Sequence, residues 1–288
     1  DAYRRIRNTL RFCLANMDGF DAATDLLEPS QMLALDRWVL QRLGELQIAV
    51  SEHYEKYEFH QAYQLLHNFC VGDLGGFYLD IIKDRQYTTQ ADSVARRSAQ
   101  SALYHIVESM VRWLAPMLSY TAEEIWLSLP GERAESVFLD SWHQLPQLPA
   151  SETLDLAYWA RVRQVREGVS KQLELLRGEG AIGAPLDAEV QLYCEPELYG
   201  ALEQMAPELR FIFITSEARL LRAADRPDDA VAVDELSGLW LVVTASEQAK
   251  CGRCWHRRED VGRDELHPEL CGRCIENVEG SGEQRLFA

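Results

Sequence analysis

The stretch Tyr3-Arg4-Arg5-Ile6-Arg7-Asn8-Thr9-Leu10-Arg11-Phe12-Cys13-Leu14-Ala15-Asn16-Met17 carries two patterns at once. Tyr3, Ile6, Leu10, Cys13, Leu14 and Met17 recur at steps of three and four, the period of a buried helix face. Arg4, Arg7, Asn8 and Arg11 recur at the same steps on another face. The reading is an amphipathic helix closed near Gly19, and the chain beyond it repeats the pattern. A second helix is expected from about Pro29-Ser30 to Tyr57, with Leu35, Trp38, Val39, Leu43 and Leu46 as its stripe. A third is expected from about Phe59 to Lys83. Gly72, Gly75 and Gly76 interrupt it at about 1 kcal/mol each relative to alanine, which predicts a kink or a close helix crossing. A fourth runs from about Asp92 to Leu114, before Pro116. A fifth opens at Thr121-Ala122-Glu123-Glu124, which reads as a capping box. Long amphipathic helices with short links predict a helical bundle over residues 1–150.

Past the loop marked by Pro130, Pro146 and Pro149 the period changes. One more helix is expected from about Asp155 to Arg177. Val190, Leu192 and Cys194 then alternate with Glu189, Gln191 and Tyr193, a half-buried strand. The β-forming runs Phe211–Thr215 and Leu239–Val243 predict two further strands, with a short helix near residues 197–205. The fold class is therefore mainly α: a bundle (1–150), a helix plus small α+β module (151–247), and a cysteine-rich tail (248–288).

The 288 residues are 47% hydrophobic and 26% charged, ordinary values for a globular protein. No apolar run is long enough for a membrane helix, and the first residues lack a signal peptide. No Met precedes Asp1, so a piece of a longer protein is expected. The net charge of −17, from 29 basic and 46 acidic residues, opposes indiscriminate binding to nucleic acid or anionic lipid. It divides as −7, −9 and −1 over the three segments, so the tail alone is nearly balanced.

Seven cysteines and no signal peptide do not suggest a disulfide framework, and a reducing cytoplasm is expected. Four of them form Cys251-Gly252-Arg253-Cys254 and, sixteen residues later, Cys271-Gly272-Arg273-Cys274. Two such knuckles converge four soft thiolates on one ion, and that ligand set suits tetrahedral zinc. With every position filled by protein, the zinc would be structural. His256 and His267 are the competing ligands. Lys250, Arg253, Trp255, His256, Arg257, Arg258, Arg263 and Arg273 surround the knuckles. They fit phosphate contact with stacking on Trp255, and equally a solvated ribbon whose Trp255 caps its own small core. The Arg4, Arg7, Asn8 and Arg11 face has two readings as well: a phosphate backbone, or carboxylates from a neighbouring helix, would neutralise it. No nucleotide-binding loop, nucleophile elbow or metalloprotease motif is present.

Several of these stretches resemble one family. Tyr3–Phe12 is similar to the start of the helical anticodon-binding domain of class I isoleucine–tRNA ligases, and Phe77-Tyr78-Leu79-Asp80-Ile81-Ile82-Lys83-Asp84-Arg85 to a second signature of theirs. Leu114-Ala115-Pro116 with Thr121–Trp126 resembles a stretch shared with the valine and leucine enzymes. Ile182-Gly183 leading into Ala188–Val190 looks like the following junction module. The four-cysteine ribbon with Trp255, ending in Gly282–Ala288, is similar to the bacterial C-terminal zinc domain. The resemblance implies a C-terminal part that grips isoleucine tRNA, as a cytoplasmic monomer with one structural Zn2+. Arg4, Arg7, Asn8, Arg11, Lys83 and Arg85 would meet the anticodon arm, and Arg253, Trp255 and His256 would add a second contact. Lys83 and Arg85 could instead pair with Asp80 and Asp84. The family's ATP-binding motifs and editing domain have no counterpart here, so catalytic residues are not expected. A zinc-ribbon DNA binder of the glycosylase type and a protein-interaction scaffold are the alternatives.

Overall fold

The computed structural model describes residues 1–149 and 154–288. Packing divides the chain into two units, Asp1–Gln86 with Ala91–Ser151, and Tyr87–Gln90 with Glu152–Ala288.

The first unit is built from α1 (Ala2–Asn16), α2 (Ala34–Glu55), α3 (Phe59–Asn68), α4 (Leu79–Thr88, whose last two residues belong to the second unit), α5 (Val94–Leu114) and α6 (Ser119–Ser128). α1 buries Ile6, Leu10 and Cys13, the stripe read from the sequence. α5 is the central helix, buried along almost its whole length and packed against α1, α2 and α6. A helix buried on all sides must find partners inside for its polar side chains. The Ser98 hydroxyl accepts the Leu33 N–H at 2.8 Å, and the Ser101 hydroxyl accepts the Leu27 N–H at 3.0 Å. Glu108 pairs with Arg112 and Arg133.

The third predicted helix is not one regular helix. Phe69–Tyr78 forms a π-helical stretch between α3 and α4. Its wider turn sets each residue against the carbonyl five positions back. A Cβ on Gly75 would lie 3.0 Å from the Cys70 oxygen, and one on Gly76 would lie 3.1 Å from the Val71 oxygen. The glycines admit this close approach of backbone to backbone. The capping box at Thr121 does not form. α6 starts two residues earlier, and the Thr121 hydroxyl bonds the Tyr3 hydroxyl at 3.0 Å.

The second unit opens with α7 (Leu156–Gly178), capped by the Asp155 carboxylate, which accepts the Tyr158 N–H at 2.8 Å. It continues through β1 (Ala188–Cys194), α8 (Pro196–Glu203), α9 (Leu209–Phe213), β2 (Glu217–Arg222), β3 (Val231–Ala232), β4 (Leu239–Ala245) and α10 (Gly272–Glu279). The sheet order is β2-β1-β4-β3, with β1 parallel to β2 and antiparallel to β4. The expected strand at Phe211–Thr215 is absent. Leu209, Phe211, Ile212 and Phe213 are buried in α9, which ends at Ile214 in the left-handed conformation (φ 59°). A continuous apolar run reads the same for a buried strand and a buried helical turn, so periodicity alone misassigns it.

Candidate nucleic-acid interface and metal centre

The cysteines form the tighter of two sites. In the first knuckle, the Cys251 N–H donates to the His256 carbonyl at 2.9 Å, and the Trp255 N–H returns to the Cys251 carbonyl at 3.0 Å. Trp255 supplies the sharp bend with φ 67°, so the turn needs no left-handed glycine. The second knuckle is a helix start: Cys271 precedes α10, and its N–H points at Cys251 Sγ, 3.4 Å away. All four side chains are buried, and their sulfurs lie within 4.8 Å of one another. Cys254 and Cys271 sulfurs are 3.7 Å apart. A tetrahedral zinc with bonds of about 2.3 Å holds its sulfurs about 3.8 Å apart, so the donor set fits this ion. Hydrogen bonding from Cys254 and Cys274 lowers the Cys271 pKa and so favours its thiolate, the form that binds metal.

Neither histidine joins the ligands. His256 is buried edge-on to Phe211, with Nδ1 3.3 Å from the Cys254 carbonyl. His267 Nε2 lies 2.8 Å from Glu279. His256, expected from sequence among the RNA contacts, is closed to solvent. The Trp255 ring is 60% exposed beneath Lys250 Nζ, so it does not cap a small core. Arg253 is half-buried and donates to the Thr88 carbonyl, also of the second unit.

The second site is the polar face of α1. Packing of α1 beside its neighbours splits that face between two grooves. Arg4, Arg5 and Asn8 line one of about 410 Å³ together with Phe12, Asp80 and Lys83. Arg7 and Arg11 line another of about 270 Å³ with Glu124 and Ser128. Arg7 is bonded to Glu124 at 2.7 Å, the carboxylate solution to its charge. Arg4 and Arg11 are exposed and make no ion pair among the described residues. Lys83 reaches the groove while holding Asp80 at 2.9 Å, the pairing open from sequence. Arg85 does not reach it. Its guanidinium is 1% exposed and bound to Asp36, because α4 turns that residue toward α2 and the core.

Sequence reading missed Arg210. It lies on α9 in the cleft bounded by Cys254, Cys271, His256, Arg258, Asp260 and Arg273. Burial, then the charges of Arg258 and Arg273, push its pKa down to about 10. A lone arginine inside the apolar run Leu209–Ile214 was the available signal, since a cation there needs a partner.

Residues 36–192 match the family described as the anticodon-binding domain of tRNA ligase, and residues 249–277 match a zinc finger found in FPG and IleRS. The whole chain is 60% identical to an isoleucine–tRNA ligase of Thioalkalivibrio sulfidiphilus, covering 31% of that protein. It is 58% identical to one of Pseudomonas aeruginosa, covering 30%, and 57% identical to one of Nitrosococcus oceani, covering 31%. The chain thus spans less than a third of the length of these relatives.

Proposed function

The chain belongs to the family of anticodon-binding domains of tRNA ligases, and from that premise we propose that it is the tRNA-gripping C-terminal part of an isoleucine–tRNA ligase. Residues 1–150 meet the anticodon arm, 151–247 form a junction, and 248–288 carry one structural zinc and a second RNA contact. The observation that carries this reading is the open groove along α1, where Arg4, Arg5, Asn8 and Lys83 gather beside Phe12. Single-stranded loops offer splayed bases and a bent phosphate backbone, the two features that such a groove and an exposed tryptophan complement. Arg11 faces solvent and makes no ion pair among the described residues. Arg7 shares its charge with Glu124 and contributes less.

An acidic chain can hold RNA in this way because charge acts locally. At 0.15 M salt, charges beyond about 8 Å are screened, so the α1 arginines and the balanced zinc segment decide. At the metal centre Cys251, Cys254, Cys271 and Cys274 would hold Zn2+, which contributes folding energy rather than a reaction step. The parent's chemistry, ATP-dependent attachment of isoleucine to tRNA, would lie in the part of the relatives that this chain does not cover. Cytoplasmic placement and action as a monomer accord with that role; no helix among the described residues is long and apolar enough to cross a membrane.

Nuclease protection of isoleucine tRNA by the chain tests the reading. Protection concentrated on the anticodon arm is expected. Protection confined to the acceptor stem would contradict it.

A further inference from the structure

A zinc ion held by four thiolates is a dianion, and a buried dianion requires compensating charge. The cleft against Cys254 and Cys271 is lined by three guanidinium groups, Arg210, Arg258 and Arg273. Two of them are already spoken for. Arg258 is bonded to Glu217 at 2.8 Å, and Arg273 to Glu283 at 2.9 Å. Asp260, the carboxylate lining the cleft, accepts the Gly272 N–H at 3.0 Å. Arg210 differs from both arginines. Among the described residues no carboxylate pairs with it, its Nε is buried without a hydrogen-bond partner, and its guanidinium lies 4.6 Å from the Phe211 ring. That ring also carries Arg273 and Arg285, so α9 gathers positive charge beside the sulfurs. Glu217 and Glu283 answer the charges of Arg258, Arg273 and Arg285, and Glu217 reaches Arg210 only through space, so the sulfurs of the cleft wall, anionic once metal binds, are the charge left for Arg210 to meet.

We propose that Arg210 is the countercharge of the zinc–thiolate centre, a positioning residue lent by α9 to a metal site whose ligands lie more than forty residues downstream. Zinc loading and the seating of α9 against the knuckles are then one event. The metal fastens the junction module to the zinc module, besides folding the short knuckle segment.

Arg210→Met keeps an unbranched stem on Phe211 and deletes the charge, and Arg210→Lys keeps the charge. Zinc affinity is measured on the full chain by competition with a chromogenic chelator. Loss of an outer-shell partner weakens metal binding roughly 10–100-fold, and Arg210→Met is expected in that range with Arg210→Lys close to the unmodified chain. With cobalt in place of zinc, Arg210→Met should retain the intense sulfur-to-cobalt absorption of a four-thiolate site. Its urea midpoint should fall in the zinc-loaded form only. Unchanged zinc affinity in Arg210→Met overturns the proposal. So does an Arg210→Lys as weak as Arg210→Met, a lost cobalt signature, or an equal fall in stability without metal.

Discussion

The Arg85 guanidinium lies across the Asp36 carboxylate in two parallel bonds, Nη2 to Oδ1 at 2.6 Å and Nη1 to Oδ2 at 2.7 Å. Both side chains are closed to solvent, at 1% and 0% exposure. Tyr78 donates to the same carboxylate at 2.6 Å, and Ser98 donates to it as well. The buried ion pair joins α2, α4 and α5, so Arg85 holds the bundle together and presents no exposed face.

Removing one partner of such a pair strands the other in a low dielectric. Arg85→Met should therefore destabilise the first unit by about 3–5 kcal/mol. The check is the urea unfolding transition, with tRNA binding of the folded protein measured alongside. An unchanged urea midpoint would show the pair to be dispensable.

His105 Nδ1 lies 2.9 Å from His143 Nε2, and burial followed by the charge of His143 pushes the His105 pKa down from 6.5 to about 4. Burial also lowers His143. The unfolded chain therefore binds protons that the folded chain refuses. The stability involved is complete above about pH 6.5 and is lost as pH falls toward 4. For His105 alone the loss is about 2 kcal/mol at pH 5. Urea midpoints at pH 7.5 and 5 should differ accordingly, and His105→Phe should flatten the difference. Parallel pH profiles for the two proteins would refute this.

One zinc per chain is expected, with strong chelators releasing it and raising amide exchange across residues 250–279. That segment buries only Val261 and Leu270, both partly, against the cysteines, so the metal supplies much of its cohesion. Cys271→Ser should lower zinc content sharply. Full occupancy in that variant would overturn the four-thiolate assignment.

The bundle and the metal site were legible because each rests on a local rule. The stripe of Ile6, Leu10 and Cys13 and the two cysteine knuckles are spacings that need no distant partner. What escaped depends on the third dimension. Nothing near Arg85 in sequence names Asp36 as its partner, 49 residues away, and only that pairing separates a buried arginine from a surface one. His256 looked like part of an exposed cationic loop, yet Phe211 from another element covers it. Arg210 stood too far from the cysteines to be joined to them. The α9 turn shows the limit of periodicity, since the three consecutive buried positions Phe211, Ile212 and Phe213 carry no period at all.

The α1 face and Trp255 should contribute to RNA binding by different physics. Arg11→Ala should weaken tRNA binding and flatten its salt dependence, since one phosphate contact contributes roughly 0.7–0.9 to the slope. Arg7→Ala should do so less, because Glu124 already shares that charge. Trp255→Ala should weaken binding by about 1–3 kcal/mol with little change of slope, because stacking releases no counterions. Zinc content and helicity should match the unmodified chain in all three. If all three bind tRNA as the unmodified chain does, neither patch is the RNA surface.

The most direct test of the central claim is the equilibrium affinity of the chain, at 0.15 M salt, for three probes of equal size. These are isoleucine tRNA, the same tRNA with its anticodon replaced, and duplex DNA. Tightest binding to the native tRNA is predicted, with a loss of at least about tenfold, or 1.4 kcal/mol, on changing the anticodon, and weaker binding still to the duplex. Equal affinity for all three probes, or tighter binding to the duplex, would contradict the account.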